Sequence, residues 1–392
     1  MNSIAAYFHD STSLSVTFTL IAFFLLLTPP CASPTALQLR RKRAASARHR
    51  ALCAVDIVRA AENTGRQQLC NIHDYFYVAP IYLGTPHQTV WVQLDTGSAD
   101  TWVSSNECRS RSCLQAERFN PGASSTFHRI GRNRFQFVYG LGDAVRGYHG
   151  RDQLCIGSFC LRDQDVGIAT LVTDEDLVID GLMGLAYPAL SVFDKPFMNS
   201  LGSTLKESIF GVWFNRNTNV AEEGGEITFG YANHDRYIGS LEYIPVINRT
   251  YWTVQLSDVV LDDGRTARSV GCPSGKCRAV FDTGTSFILG SGNETVQLVR
   301  GWHNEGLIQR DAEGKWSLNC VQMAQLPRLT FVLGGKSFVL TPEQYTFTED
   351  YDRPCDRKLA IDGDVSDLPF WYHRVGLAKA KTATPVDIPR AG

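Results

Sequence analysis

Strong net charge is absent from this 392-residue chain, in which 38 Lys and Arg oppose 40 Asp and Glu. A near-neutral balance supplies no overall field that would draw it to nucleic acid or to an anionic membrane. A glycine-rich phosphate loop of the Walker type is missing, and so is a spaced Cys/His zinc set. Long apolar runs are scarce as well. One occurs, Leu14 to Leu27, and its 14 residues fall short of what a spanning helix requires. Its length, with Pro29, Pro30, Cys31, Ala32 and Ser33 behind it, fits a signal peptide over residues 1–33. Lys and Arg are lacking ahead of the run, so an uncleaved signal anchor is the alternative. With no second run of that length, no stable membrane span is expected in the rest.

What the chain does have is cysteine, 11 in all, and cleavage after Ser33 leaves an even ten. These fall as neighbours: Cys53 and Cys70, Cys108 and Cys113, Cys155 and Cys160, Cys272 and Cys277, Cys320 and Cys355. In an oxidising compartment, five sequential disulfides are the expected pairing, and buried free thiols the alternative. Sequons at Asn248-Arg-Thr250 and Asn293-Glu-Thr295 suit the same compartment. Residues 34–70, basic and rich in Ala and Arg around Arg40-Arg-Lys-Arg43, read either as a solvated run or as a pro-segment. A pro-segment is the stronger expectation behind a signal peptide, since its charge can neutralise an acidic cleft until it is removed.

Short β-branched and aromatic runs predict a mainly β protein with room for two lobes, each burying its own core. The expected division is 71–238 and 239–392, with the turn-rich stretch Gly230 to Gly239 between them. A repeat supports the duplication. Asp95-Thr96-Gly97 follows Val90-Trp-Val-Gln-Leu94, and Asp282-Thr283-Gly284 follows Ala279-Val-Phe281. Each copy reads as a buried strand that delivers a carboxylate to a turn Gly permits. Facing each other, two such units bring together two carboxyl groups that cannot both ionise.

Several further stretches, in order, give the chain a resemblance to the pepsin-like aspartic proteases. Tyr77-Val-Ala-Pro-Ile81-Tyr-Leu-Gly84-Thr-Pro86 resembles that family's first strand and turn, and Asp95-Thr-Gly-Ser98 with Trp102 its first active-site loop. Phe137-Val-Tyr139-Gly140-Leu141-Gly142 resembles the flap hairpin, and Asp180-Gly-Leu182-Met183-Gly184-Leu185 the strand that crosses behind the first aspartate. Cys272 to Cys277 ahead of Asp282-Thr-Gly-Thr285-Ser286 is similar to the entry of the second lobe, and Cys320 and Cys355 to its late disulfide. The resemblance implies a bilobal fold, two duplicated β lobes with a cleft between them, and an Asp95/Asp282 dyad that activates water at acidic pH. It implies orienting roles for Ser98 and Thr285, close approach at Gly97 and Gly284, and a flap contacting peptide through Tyr139, Gly140 and Leu141. Trp102 is the implied partner of the Tyr139 hydroxyl.

The same resemblance implies an aspartic endopeptidase made as a zymogen. Its partners are polypeptide substrates and its own pro-segment as intramolecular inhibitor. It is expected to be monomeric, without cofactor or metal, and extracellular or lysosomal or vacuolar. Leu141 stands where the family more often has a small hydroxyl residue, which favours apolar side chains at the cleaved bond. Ala99-Asp100 replaces the more usual Ser-Asn. After Cys355 the interval is too short for both strands that relatives carry there, so the second lobe is expected to be incomplete. Asp362 is then expected to mirror Met183, a costly burial. The alternative reading is an inactive, protease-like peptide- or protein-binding protein.

Overall fold

Alternation builds the sheets. Gly65–Leu69 alternates buried and partly exposed residues, as a pleated strand with one dry face requires, and Gln88–Asp95 is buried on both faces from Val92 on. The computed structural model describes residues 4–9, 63–72, 75–139, 143–175, 177–215, 224–290, 292–311, 315–348, 355–363 and 375–380. In chain order the strands begin with β1 (Ile4–His9), β2 (Gly65–Ile72), β3 (Phe76–Leu83), β4 (Gln88–Asp95) and β5 (Trp102–Ser104). Then come β6 (His128–Val138), β7 (Ala144–Ile156), β8 (Phe159–Val172), β9 (Gly181–Gly184), β10 (Ile209–Phe214), β11 (Gly225–Phe229) and β12 (Tyr237–Ile244). The second half supplies β13 (Val246–Arg249), β14 (Trp252–Asp262), β15 (Ala267–Gly271), β16 (Cys277–Val280) and β17 (Ile288–Gly290). It ends with β18 (Gln309–Arg310), β19 (Trp316–Leu318), β20 (Arg328–Leu333), β21 (Lys336–Leu340), β22 (Thr346–Thr348), β23 (Arg357–Leu359), β24 (Ile361–Gly363) and β25 (Val375–Ala380).

A mainly β, two-lobed chain is therefore what the structure contains. One sheet of 13 strands runs β12-β25-β1-β10-β11-β2-β3-β4-β9-β5-β8-β7-β6. The second lobe has a six-stranded sheet around β14, a four-stranded sheet of β18, β19, β22 and β23, and the pair β17–β24. The largest apolar cluster among the described residues passes through both halves, joining Leu94, Met183 and Leu185 to Trp252, Phe281 and Leu329. Trp252 fastens the halves: its indole N–H donates to the Leu185 carbonyl at 2.9 Å, and its ring lies 4.0 Å from that of Tyr187.

Strand β1 comes from within the expected signal peptide and lies between β10 and β25. Leu14 to Leu27 and Arg40 to Arg43 lie outside the described residues. Strand β2 begins at Gly65, ahead of the expected lobe boundary, and pairs with β11 on one side and β3 on the other.

Two lobe-internal pairings correct the expectation for Asp362. In the first lobe β9 runs parallel to β4, with Met183 opposite Leu94 and Gly184 opposite Asp95, while β8 runs parallel to β5, with Gly167 opposite Trp102. In the second lobe β24 runs parallel to β17, with Asp362 opposite Leu289. Trp102 and Leu289 each lie seven residues past their aspartate. Asp362 therefore mirrors Gly167, not Met183. The physical reason is reach: only Ala360 separates β23 from β24, so β24 continues on from β23 beside β17.

Candidate active site

Both aspartates sit at the ends of strands that enter the space between the lobes. Asp95 closes β4 and is 4% exposed; Asp282 follows Phe281, which is buried. The two turns hold their carboxylates in the same way. Gly97 N–H donates to Asp95 Oδ1 at 2.8 Å, and Gly284 N–H donates to Asp282 Oδ1 at 2.8 Å. The Ser98 hydroxyl donates to Asp95 Oδ2, and the Thr285 hydroxyl to Asp282 Oδ2 at 3.1 Å. Thus each carboxylate has one backbone and one hydroxyl donor, which fixes its plane.

Glycine at the third position lets the carboxylates approach. A Cβ on Gly97 would fall 2.4 Å from Asp282 Oδ2, and one on Gly284 would fall 2.3 Å from Asp95 Oδ1. Each carboxylate therefore lies against the glycine of the opposite turn, which brings the two acids close together. Burial, followed by the charge of Asp95, pushes the Asp282 carboxyl well above the usual carboxylate range; its Gly284 and Thr285 donors pull the other way.

Support behind the two aspartates is unequal. Behind Asp95, Leu185 N–H donates to the Asp95 carbonyl at 2.7 Å and Ala186 N–H to the Ser98 carbonyl at 2.8 Å. Among the described residues β16 pairs with β14 alone, and a side chain of the first lobe reaches the second turn instead: Gln93 Nε2 donates to the Gly284 carbonyl at 2.8 Å.

Tyr139 follows β6, and its hydroxyl accepts from Trp102 Nε1 at 2.8 Å. Burial pushes the phenol upward, with the Asp95 charge adding to the effect, so the group stays neutral and polar beside the dyad. Gly140 and Leu141 lie outside the described residues. Sequence reasoning missed Tyr251. Its phenol is pushed up by burial and then by the charges of Asp282 and Asp95, which places it within the field of both aspartates. A lone Tyr-Trp pair in a hairpin gives no local signal of that.

Four disulfides join Cys108 to Cys113, Cys155 to Cys160, Cys272 to Cys277 and Cys320 to Cys355. Cys70 is disulfide-bonded, and Cys53 lies outside the described residues. Asn248 is half-buried on β13, its side-chain oxygen accepting from Thr250 N–H at 3.1 Å. Asn293 is the second residue of the helix Gly292–Asn304. No helix among the described residues is long and apolar enough to cross a membrane.

Comparison with known proteins agrees with this geometry. The chain is 34% identical to cathepsin E-A of Xenopus laevis over 307 residues, covering 75% of this chain and 74% of that protein. It is 33% identical to gastricsin of Rattus norvegicus, covering 71% and 69% respectively, and 33% identical to cathepsin D of Dictyostelium discoideum, covering 71% of each. The family profile described as eukaryotic aspartyl protease matches residues 76–365, and with both aspartate loops inside that span the chain belongs to the eukaryotic aspartyl proteases, the pepsin-like aspartic endopeptidases.

Proposed function

We propose that Asp95 and Asp282 form a one-proton dyad that hydrolyses peptide bonds at acidic pH. The observation that carries this reading is the close approach of two carboxylates held by mirrored turns. Amide hydrolysis without a nucleophilic side chain needs a stronger nucleophile and a better leaving group. The ionised member of the dyad takes a proton from water while the protonated member donates to the carbonyl oxygen of the peptide. The pair titrates as a unit. Gly97, Gly284, Ser98 and Thr285 keep the carboxylates coplanar enough to share the proton, and Tyr139, held by Trp102, is the group that closes over the peptide. Leu141 selects apolar side chains at the cleaved bond.

The relatives named above are proteases, and polypeptides are the substrates this reading assigns. Made with residues 1–33 as a signal peptide, the chain enters the secretory route and works outside the cell or in a lysosome or vacuole, as a monomer glycosylated at Asn248 and Asn293. Its basic pro-segment inhibits it until cleavage. We place that cleavage ahead of Asn63, because β2 is bonded on both edges and buries Leu69, Cys70 and Ile72. Loss of residues 1–33 removes β1 and opens a strand position between β10 and β25 for another segment. The decisive experiment is hydrolysis of a quenched apolar peptide by the purified chain from about pH 3 to 7. Turnover that rises toward acid and is lost in Asp282→Asn supports the dyad. Turnover that survives the substitution removes it.

A further inference from the structure

Ser191–Lys195 is strung between two buried carboxylates outside the dyad. At one end Asp100 accepts from the Ser191 hydroxyl at 2.5 Å and from the N–H groups of Val192 and Phe193 at 2.9 and 3.3 Å. At the other end Asp165 accepts from Lys195 N–H at 2.7 Å and from the Arg151 guanidinium, with His149 Nε2 at 3.1 Å. Both aspartates are buried, so neither holds the segment through a screened surface contact.

What the two anchors hold in place is the ring of Phe193. It packs edge-on against Phe135 at 5.9 Å and against Phe137 at 5.7 Å, and stacks on the His149 ring at 4.3 Å. Phe135 and Phe137 stack on each other at 4.5 Å and belong to β6, the strand that leads straight into Tyr139. Trp102, Phe135 and Phe193 share one buried cluster, against which Phe137 and Tyr139 pack. Asp100 is two residues ahead of Trp102, whose indole holds the Tyr139 hydroxyl. It therefore reaches the flap tyrosine by two routes, the chain to Trp102 and the hydrogen bonds to Phe193.

We propose that Asp100 is a positioning residue for the flap: it fixes Phe193 beneath β6 and so fixes where Tyr139 meets the peptide. The proposal rests on the protease reading for its effect on substrate. Its clamp does not depend on the charge of Asp100. Burial pushes that carboxyl up, against the pull of its three donors and of His149. A neutral carboxyl still accepts from Val192 N–H and can donate to the Ser191 hydroxyl oxygen, to which Phe193 N–H already donates at 3.0 Å. An asparagine offers the same acceptor and donor. Alanine offers neither.

The test uses the full secreted chain with Asp100→Ala, Asp100→Asn and Phe193→Leu. KM and kcat are measured on a quenched peptide, and amide hydrogen exchange is followed at Val192, Phe193 and Phe135 to Phe137. Asp100→Ala is expected to raise KM about tenfold, with a smaller change in kcat, and to speed exchange at both segments. Asp100→Asn should restore both readouts to within about threefold of the parent. Phe193→Leu, which leaves the hydrogen bonds of Asp100 in place, should raise KM while Val192 stays protected; it carries the test if the alanine variant fails to fold. Unchanged KM in Phe193→Leu, or faster exchange confined to Val192 and Phe193 with β6 unaffected, overturns the proposal. If the parent itself shows no turnover, the protease reading fails, and exchange at β6 still decides whether Asp100 holds the flap strand.

Discussion

Thr96 and Thr283 exchange hydrogen bonds across the lobes. Thr96 N–H donates to the Thr283 hydroxyl oxygen at 3.1 Å and Thr283 N–H to the Thr96 hydroxyl oxygen at 2.9 Å. Each hydroxyl in turn donates to a carbonyl of the opposite lobe, Thr96 to Phe281 at 2.8 Å and Thr283 to Leu94 at 2.6 Å. Four bonds thereby join the residues directly after the two aspartates, and the separation of the carboxylates is set by this joint.

Thr96→Val keeps the shape of the side chain and removes one donor and one acceptor. It removes the bonds that Thr283 N–H and the Phe281 carbonyl make to Thr96, which is fully buried. The expected cost is about 2–4 kcal/mol, because two buried polar groups lose their bonds at once. Thermal unfolding should show the loss, and kcat should fall with it as the carboxylates drift apart. A variant of parental stability would mean that the exchange is incidental to the joint.

The dyad also sets a pH dependence of stability. Burial and the charge of Asp95 raise the Asp282 carboxyl, so the folded chain keeps a proton there that the unfolded chain gives up near the ordinary carboxylate value. That contribution is full below the unfolded value and is lost as pH rises through the folded one. Between them the fold should weaken with rising pH. Asp282→Asn removes the titration, so unfolding temperatures of parent and variant should diverge from acid to neutral pH, the variant gaining relative to the parent. Parallel curves would mean that the pair holds no proton above the ordinary carboxylate range.

Much of this site was legible because it is local and repeated. Asp95 and Asp282 stand in the same strand-and-turn context, and each turn contains its own donors, Gly97 and Ser98 or Gly284 and Thr285. The three small disulfide loops join cysteines five positions apart and needed only neighbouring cysteines. What escaped is whatever depends on chain segments far apart. Thr96 and Thr283 are 187 residues apart, and nothing in either turn announces that they bond. Tyr251, in the β13–β14 hairpin, is 31 positions before Asp282 and feels the charge of both aspartates. Asp100 read as a mild departure in a loop, whereas its three donors come from residues more than 90 positions later. Asp362 was placed by likeness to a motif, and strand pairing decided otherwise.

Trp102→Phe isolates the indole N–H from the packing of the ring. Trp102 is 1% exposed, and phenylalanine fills most of its space, but the Tyr139 hydroxyl loses its donor. A single neutral bond of this kind is worth about 1 kcal/mol, roughly a fivefold effect. That loss should be read in kcat/KM for a peptide spanning the cleft. Trp102→Phe combined with Tyr139→Phe should cost no more than Tyr139→Phe alone, since the bond is already gone. Additive losses would show that indole and phenol act on the substrate independently.

Gly284→Ala is the sharpest test of how close the carboxylates come. Its Cβ would fall 2.3 Å from Asp95 Oδ1, closer than a Cβ can approach, and a tight 3.1 Å from Asp282 Oδ1. No flexible side chain stands ready to move aside, for Asp95 is pinned by Gly97 and Ser98 and Asp282 by its own turn. The methyl group must push the two acids apart or tilt one of them, at an overpacking cost of about 1–3 kcal/mol. Turnover should suffer more than stability, because proton sharing fails once the carboxylates separate, and it should fall by at least about a hundredfold. Gly301, in the helix Gly292–Asn304 with open space around it, supplies the control: Gly301→Ala adds the same methyl group where it meets nothing. If Gly284→Ala behaves like Gly301→Ala, the two carboxylates stand farther apart than a shared proton allows, and the dyad must be abandoned as the source of hydrolysis.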